Sequence, residues 1–358
     1  MSRLLMVDIG AGTMDVLYYD TAKEQHYKFV APSPVRLLGV QIENTPGPLV
    51  VDGVEMGGGP VTEALIKRAA QAEVVISKAA AATLHHNPEK VRSWGLQVAD
   101  SARLEACLAD PTYRPLTLGD VQVRNLRQVI QGMGLSPDLD IVALCAQDHG
   151  VAPPGVSHLD FRHNLFLSYL KDAPQPHKLL FRSDEIPEAF NRLRSMARTA
   201  EDLGADEIFV MDSGMAAMVG ASQDMQARHK SPILVLDIAT SHTVAAIMED
   251  DEVAGFLEYH THDITCSRLE NLIRELAEGR LDHHQILAQG GHGAFVRHGV
   301  GLDKLKAIIA TGPKRGLAAD ARLPLSWGAP WGDNMMTGTV GLLESVRRRK
   351  GLDTISYV

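Results

Sequence analysis

Residues 3–30 of the 358-residue chain read RLLMVDIGAGTMDVLYYDTAKEQHYKFV. An apolar run ends at Asp8-Ile9, a turn of small residues follows, and a second apolar run leads through a charged turn at Asp20 to a third. Short apolar runs separated by turn residues are typical of β-strands. Because both turns are short, we expect the three strands to pair as antiparallel hairpins.

The same pattern returns in the second half of the chain, where residues 232–259 read PILVLDIATSHTVAAIMEDDEVAGFLEY. Self-similarity within one chain indicates two related structural units. Two unrelated antiparallel hairpins are the alternative. Four positions align between the copies: Asp8 with Asp237, Gly10 with Ala239, Thr13 with His242, and the turn at Asp20 with Glu249 and Asp250.

Composition and charge exclude several classes of protein. Hydrophobic residues make up 45% of the chain and charged residues 22%, as in a soluble globular protein, and the length fits two domains. A net charge of −9 disfavours nucleic acid as a partner. The apolar start is too short for a signal peptide or a membrane span, so we expect no membrane contact and a cytoplasmic location. The basic run at 347–350 is expected to be the solvated end of a helix.

The three cysteines are Cys107, Cys145 and Cys266, and none forms a CxxC pair. This spacing disfavours a structural zinc site or an iron–sulfur cluster held within one chain. Cys266 ends a segment, HDITC, that is faintly similar to the cluster-binding segment of dehydratase activators. Those proteins use two cysteines per subunit, and no cysteine follows Cys266.

Helical and strand patterns alternate along the chain, which indicates an α/β fold. We predict helices at 61–72, 121–132 and 186–203, and strands at 74–77, 140–146 and 207–211. Pro153, Pro154 and Pro174 predict a long irregular crossing. The predicted organisation is an N-terminal domain over 1–222, a C-terminal domain over 223–337 and a closing helix over 338–358.

The first turn has a composition that suits phosphate binding. Gly10, Ala11 and Gly12 let backbone N–H groups approach phosphate oxygens closely, and Thr13 adds a hydroxyl donor. Asp8, at the end of the strand, can hold Mg²⁺ through water.

This turn resembles the first phosphate loop of the superfamily of actin, hexokinase, sugar kinases and heat-shock ATPases, and residues 237–243, DIATSHT, resemble its second. The resemblance implies two ribonuclease-H-like (actin-like) domains with mixed five-stranded sheets around an interdomain nucleotide cleft. It implies ATP and Mg²⁺ as cofactors, with Asp8 and Asp237 at the metal. The second loop departs from the family in having Ala239 where glycine is common. Its phosphate contacts would be Thr240, Ser241 and Thr243.

Three further segments follow in the order of the superfamily. Residues 208–217, IFVMDSGMAA, resemble the connection between domains, in which Asp212 would be the catalytic base or orient water. A helix N-cap is the alternative role of Asp212. Residues 306–316, KAIIATGPKRG, resemble the adenosine motif, with Thr311 and Gly312 at the nucleotide. Residues 336–341 resemble the small-residue helix that closes the hinge.

A substrate side is predicted from the Gly-rich and histidine-containing segments. Residues 147–150, QDHG, resemble a substrate loop of xylulose-type sugar kinases, and residues 290–293 read GGHG. The predicted acceptor residues are Gly57, Gly58, Gly59, Gln147, His149, Gly291 and His292. Further histidines at 260, 262, 283 and 284 raise metal ligation as a hypothesis. Separate surface or hydrogen-bonded histidines are the alternative, which the lack of a known metal-binding spacing favours.

Together the motifs DIGAGTMD, MGGGP, QDHG, GGHG and GDNMMTG resemble a bacterial and archaeal family labelled as pyruvate formate-lyase activating enzymes. Such activators require a CxxxCxxC motif, which this chain lacks. The predicted function is instead Mg-dependent phosphotransfer or ATP hydrolysis on a small polar substrate. The alternatives are an ATP-driven activator of a client redox or radical enzyme, and a nucleotide-dependent scaffold. The oligomeric state is open, and a dimer is compatible with the sequence.

Overall fold

A computed structural model describes residues 2–153 and 155–357. Within these residues the strands are β1 (Arg3–Ile9), β2 (Thr13–Asp20), β3 (Gln25–Pro32), β4 (Leu49–Gly53), β5 (Val74–Ser77), β6 (Gln97–Ala99), β7 (Arg114–Leu118), β8 (Ile141–Ala146), β9 (Phe181–Arg182), β10 (Glu207–Asp212), β11 (Ile233–Ile238), β12 (His242–Glu249), β13 (Glu252–His260), β14 (Gly291–Val296), β15 (Ala307–Thr311) and β16 (Leu325–Trp327).

The α-helices of the same residues are α1 (Pro34–Asn44), α2 (Gly59–Ala69), α3 (Lys78–Ala81), α4 (Pro88–Ser93), α5 (Ser101–Ala109), α6 (Val123–Gly132), α7 (His158–Asp172), α8 (Asn191–Ala200), α9 (Ser213–Ser222), α10 (Cys266–Ala277), α11 (His283–Ala288) and α12 (Thr337–Lys350). Over the described part of the chain, each helix is too short or too polar to cross a bilayer. The basic run at 347–350 lies in the last turn of α12, as predicted.

The two halves are built on sheets that share an order of five strands, β3-β2-β1-β8-β10 in one and β13-β12-β11-β15-β16 in the other. One sheet runs β3-β2-β1-β8-β10-β9 and the other β14-β13-β12-β11-β15-β16. In each sheet the hairpin strands pair antiparallel. The first hairpin strand also pairs parallel with a strand on its other side, β1 with β8 and β11 with β15. The backbone N–H of Gly10 donates to Thr13 O at 3.0 Å, and that of Ala239 donates to His242 O at 3.0 Å. The internal repeat and the α/β, ribonuclease-H-like (actin-like) fold are therefore confirmed.

The prediction of five-stranded sheets is wrong, because each of the two repeated sheets has six strands within the described residues. The additional edge strand is β9 in the first sheet and β14 in the second. Strand β9 is only two residues long, too short to leave an alternating pattern, and β14 begins in the glycine-rich GGHG segment, whose composition disfavours a strand. A third, all-parallel sheet, β6-β5-β4-β7, lies between β3 and β8 in the chain and has its own apolar core.

The prediction of an irregular crossing between Pro153 and Pro174 is also wrong, because the 15-residue helix α7 fills most of it. Ser157 caps this helix through the backbone N–H of Asp160. The buried face includes Arg162 and His163, whose polarity hides the helical period in the sequence. Pro154 lies outside the described residues. The helix predicted over 186–203 begins only at Asn191, beyond Pro187.

Helices α9 and α12 pack against each other between the two large sheets. A Cβ added at Gly220 would lie 1.8 Å from Thr337 O, and one at Gly341 would lie 1.8 Å from Ala216 O. Glycine is therefore required at both positions for the backbones to approach. Helix α9 follows β10 of one sheet and precedes β11 of the other, so the contact joins the halves. The predicted domain limits at 222 and 337 remain a prediction.

Candidate active site

The turns of the two repeated hairpins face each other across a cleft of about 430 Å³. Asp8 is the next-to-last residue of β1, and Asp237 is the next-to-last residue of β11. The repeat therefore brings both carboxylates to the same cleft. The predicted residues that line the cleft are Asp8, Gly10, Ala11, Thr13, Gly57, Gly58, Gly59, Gln147, His149, Asp237, Thr240, Ser241 and Gly312.

Three predicted nucleotide-binding residues stand behind the cleft wall. Gly12 packs on the opposite turn, where an added Cβ would lie 2.5 Å from Thr240 Oγ1. Thr243 is buried, and its Oγ1 lies 3.0 Å from Thr261 Oγ1. Thr311 is buried with its Oγ1 2.5 Å from Thr337 Oγ1. In this arrangement these residues hold the turns in place.

Three aspartates form an acidic group at the base of the cleft. Burial is the largest cause that raises the pKa of Asp8 to about 6, of Asp15 to about 8 and of Asp237 to about 7. The charge of Asp8 raises the pKa of Asp15 and Asp237 further, and the charge of Asp212 raises that of Asp8. Asp15 Oδ1 has no hydrogen-bond partner among the described residues. Uncompensated carboxylate charge of this kind is what a divalent cation would neutralise. The residues present therefore fit Mg²⁺.

Sequence reasoning missed Asp15, although a signal was present. Strand β2 is buried over its six central residues, and Asp15 is the charged residue among them. A carboxylate in a buried strand needs a partner or a function.

Two glycines make room for the carboxylates of the acidic group. A Cβ added at Gly338 would lie 1.9 Å from Asp8 Oδ2. Gly312 has a φ of +88°, and an added Cβ would lie 2.6 Å from Asp237 Oδ1. Any side chain at Gly338 would collide with Asp8, so this end of α12 belongs to the site.

Asp212 lies beside the cleft and is only 2% exposed. Its Oδ2 accepts from Arg162 Nη1 at 2.8 Å, and its Oδ1 accepts from Arg162 Nη2 at 3.2 Å. Its Oδ1 also accepts from the Gly214 N–H at 2.9 Å, so Asp212 does cap α9. The role of general base stays a prediction, and these contacts support a positioning role.

The Gly-rich loop and the QDHG segment come together through Arg192. Arg192 Nη1 donates to Gln147 O at 2.7 Å, and an added Cβ at Gly57 would lie 2.9 Å from Arg192 Nη2. Asp120 fixes the guanidinium with bonds of 2.8 and 2.9 Å. The carboxylate of Asp148 accepts from the backbone N–H groups of Leu193 and Gly150. The two predicted acceptor segments therefore share one wall of the cleft.

The GGHG segment is not a loop on the cleft, because Gly291 and His292 begin the edge strand β14 and are buried. Gly291 is glycine because a Cβ would lie 2.7 Å from the ring of Tyr259. His292 reaches the site from behind, and its Nε2 lies 2.9 Å from Nε2 of His260, which does line the cleft.

The histidines at 149, 242, 260 and 292 form one cluster, with ring centroids 4.1 to 6.1 Å apart. Burial lowers the pKa of His149 and His242 to about 3 and of His292 to about 4. Beneath them, Glu258 is buried, but Arg162 and the imidazoles outweigh burial and lower its pKa to about 2. Sequence reasoning missed Arg162 and Glu258, since neither stands in a small-residue motif.

A family described as "Putative pyruvate format-lyase activating enzyme (DUF1786)" matches residues 56–317. The chain belongs to this family. The matched residues include the Gly-rich loop, the QDHG segment, the second hairpin and the GGHG strand. The family's description names an activator, a class that requires a CxxxCxxC motif. The three cysteines of this chain are instead separate and free, and Cys107 and Cys145 are buried.

No curated protein matches the chain. Several solved structures are similar over nearly the whole chain, at low identity. An inorganic polyphosphate/ATP-glucomannokinase from Arthrobacter sp. strain KM is 12% identical, with 97% of this chain and 100% of that chain covered and a TM-score of 0.37. The AlfA filament from B. subtilis plasmid pLS32 is 10% identical, with 96% and 98% covered and a TM-score of 0.37. The PilM-PilN type IV pilus biogenesis complex is 11% identical, with 96% and 98% covered and a TM-score of 0.41.

Proposed function

We propose that the chain binds Mg-ATP in this cleft and transfers the terminal phosphoryl group to water or to a small polar acceptor. One observation carries the proposal. Two copies of one hairpin direct Asp8 and Asp237 into a single cleft, where burial raises the pKa values of both carboxyl groups. Paired carboxylates beside small-residue turns suit a cation that is itself bound to phosphates.

In this proposal each wall of the cleft has a separate task. Asp8 and Asp237 hold the magnesium ion through water, and Asp15 adds negative charge beneath them. The backbone N–H of Ala11, the hydroxyl of Thr13 and the backbone N–H groups of Thr240 and Ser241 would contact the phosphates, and the turn at Gly312 would contact the nucleoside. Bound magnesium would supply positive charge that neutralises the phosphate oxygens. Gly57 to Gly59, Gln147 and His149 bind the acceptor.

Phosphate release from Mg-ATP, measured with the purified protein, tests the proposal. Turnover that rises when a small polyol or sugar is added supports a phosphotransferase. Turnover that requires a client protein supports the alternative of an ATP-driven activator, and concentration-dependent assembly supports a scaffold. Absence of Mg-ATP binding in calorimetry would contradict the proposal itself.

Replacement of Asp8 by alanine is expected to weaken Mg-ATP binding by about tenfold or more, because the cation loses one of its carboxylates. Titration calorimetry with and without Mg²⁺ measures the effect. Asp20→Ala, at the opposite end of the same hairpin, is the matched control and is expected to bind as the wild type does. If Asp8→Ala binds Mg-ATP as tightly as the wild type, Asp8 is not at the metal.

Binding of Mg-ATP is expected to tighten by about tenfold between pH 6 and pH 8. The pKa values of Asp8, Asp15 and Asp237 are raised to about 6, 8 and 7, so these groups hold protons in the free protein at low pH. A cation binds the deprotonated forms, so it must release those protons, and its affinity rises with pH.

Calorimetry at several pH values measures this dependence, with Asp15→Asn as the comparison. The triphosphate of ATP exchanges the same protons in both experiments. The difference between the two pH profiles of affinity therefore reports the protonation of the protein's carboxylates. Asp15→Asn removes the group with the highest pKa and is expected to flatten the profile. Identical profiles for the two proteins would contradict the assignment of the acidic group.

A further inference from the structure

We propose that His242, His260 and His292 bind a divalent first-row transition metal ion, with zinc as the reference case. The ion would present an open coordination position to the cleft, where it would take an oxygen donor such as water, a hydroxyl or a phosphate oxygen. This site is separate from the magnesium proposed at Asp8 and Asp237, and it does not depend on nucleotide binding.

The three imidazoles stand close to the distances that a shared ion requires. One nitrogen of each lies within 4.8 Å of the nitrogens of the other two. Nε2 of His260 and Nε2 of His292 are 2.9 Å apart. Nitrogens bound to one tetrahedral zinc ion at about 2.0–2.1 Å lie roughly 3.3 Å from each other. Small movements of the side chains would therefore suffice to complete the site.

The hydrogen bonds of His242 leave one nitrogen available. Its Nδ1 is 2.8 Å from Ser241 Oγ, which fixes the ring. Its Nε2 is buried and has no hydrogen-bond partner in the described ranges. A buried imidazole nitrogen without a partner is costly unless a ligand satisfies it. A metal ion between the three rings would satisfy it.

The scaffold of the cluster is rigid and comes from adjacent strands. His242 begins β12, His260 ends β13 directly opposite it, and His292 lies on β14, the next strand. Ligands placed on neighbouring strands are held more firmly than ligands on loops. The sheet therefore organises the three side chains before any ion binds.

A second layer of polar residues supports the cluster. Oε1 of Glu258 lies 3.9 Å from Nδ1 of His292, and Arg162 holds the same carboxylate from the other side at 3.3 Å. Gln147 also donates to Glu258. At 3.9 Å the carboxylate does not hydrogen-bond Nδ1 of His292, which is buried and has no partner among the described residues, but its negative charge beside the rings favours a bound cation. A metal site would explain why Glu258 and Arg162 are buried beside the histidines, which the proposed phosphate binding does not explain.

The position of the cluster indicates an open site rather than a closed structural one. His242 and His260 line the cleft, whereas His292 lies behind them. Three protein ligands with a fourth position open to solvent or substrate are typical of catalytic zinc sites, while structural sites use four. His149 stands about 6 Å from the rings of His242 and His292, on the acceptor side of the same space.

Titration of chelator-treated, nucleotide-free protein with Zn²⁺ in a calorimeter tests the proposal. We expect one ion per chain, and a loss of affinity of roughly 100-fold or more in His260→Gln, which removes a ligand without adding a charge. His298→Gln is the matched control, because His298 lies on the surface and pairs with Glu249. It is expected to bind Zn²⁺ as the wild type does.

A second readout comes from Co²⁺, whose visible absorption is intense in a tetrahedral site and weak when the ion is octahedral in water. We expect the intense spectrum in the wild type and its loss in His242→Gln and His260→Gln. These half-exposed positions keep the test valid if the buried variant His292→Gln fails to fold. The Asp8→Ala variant is expected to keep its zinc affinity, which separates this site from the proposed magnesium site.

Two results would overturn the proposal. One is Zn²⁺ binding by the wild type that is no tighter than binding by His260→Gln. The other is a Co²⁺ spectrum that stays weak in the wild type. Either would show that the histidines are a hydrogen-bonded cluster only, in which one imidazole N–H donates to its neighbour.

Discussion

Gly341→Ala is expected to lower the free energy of unfolding by about 3 kcal/mol or more, at the upper end of the cost of overpacking. The added Cβ would lie 1.8 Å from Ala216 O and 2.7 Å from Ala216 C. Both atoms belong to the backbone of α9 and cannot rotate away. The helices must separate, and the first turn of α12, which carries Gly338 against Asp8, moves with them.

Denaturant unfolding followed by circular dichroism measures this change. Gly132→Ala is the matched control, because Gly132 is also helical and an added Cβ meets nothing within 4 Å. This variant is expected to be as stable as the wild type or up to about 1 kcal/mol more stable, since alanine favours helices over glycine. Equal stability of the two variants would contradict the close helix contact.

Asp212→Asn is expected to lower turnover of Mg-ATP by roughly 100-fold, the scale of a displaced or missing catalytic group. Affinity for the nucleotide should stay within a few-fold, because Asp212 does not line the cleft. The free energy of unfolding is expected to fall by about 3 kcal/mol, because buried Arg162 loses a bidentate partner. Unfolding curves test the second effect whether or not turnover is detected.

A double-mutant cycle with Arg162→Gln separates a positioning residue from a base. If Asp212 acts through Arg162, each single variant loses similar turnover and the double variant loses no more. A base would instead show a larger loss in Asp212→Asn, with the acidic limb of the pH profile removed. Asp224→Asn is the control for burying an asparagine, because Asp224 is 4% exposed and bonds the Ala329 N–H outside the cleft.

The sequence predicted the hairpins and their repeat because these are local features. Each copy of the repeat places three strand patterns and two turns within 28 consecutive positions, and the Gly10 and Ala239 turn bonds follow directly. Strand Val74–Ser77 matched its predicted bounds, because its run is continuously apolar.

The parts that the sequence did not predict depend on contacts between distant residues. Arg162 reads as a surface residue until Asp212 and Glu258, 50 and 96 positions away, enclose it. His242, His260 and His292 come from three strands that pair only in the folded sheet. The spacing of residues within one segment cannot reveal such an arrangement. The sequence could therefore raise the hypothesis of a metal site, but it could not show which histidines form it.

The contact between α9 and α12 restricts how the two halves can move. At Gly220 and Gly341 the helix backbones touch without intervening side chains, so neither helix can slide along the other without a collision. A movement of the two halves that preserved this contact would therefore have to be a rotation about it. The mouth of the cleft would then travel furthest, while distances beside the two glycines stay almost constant.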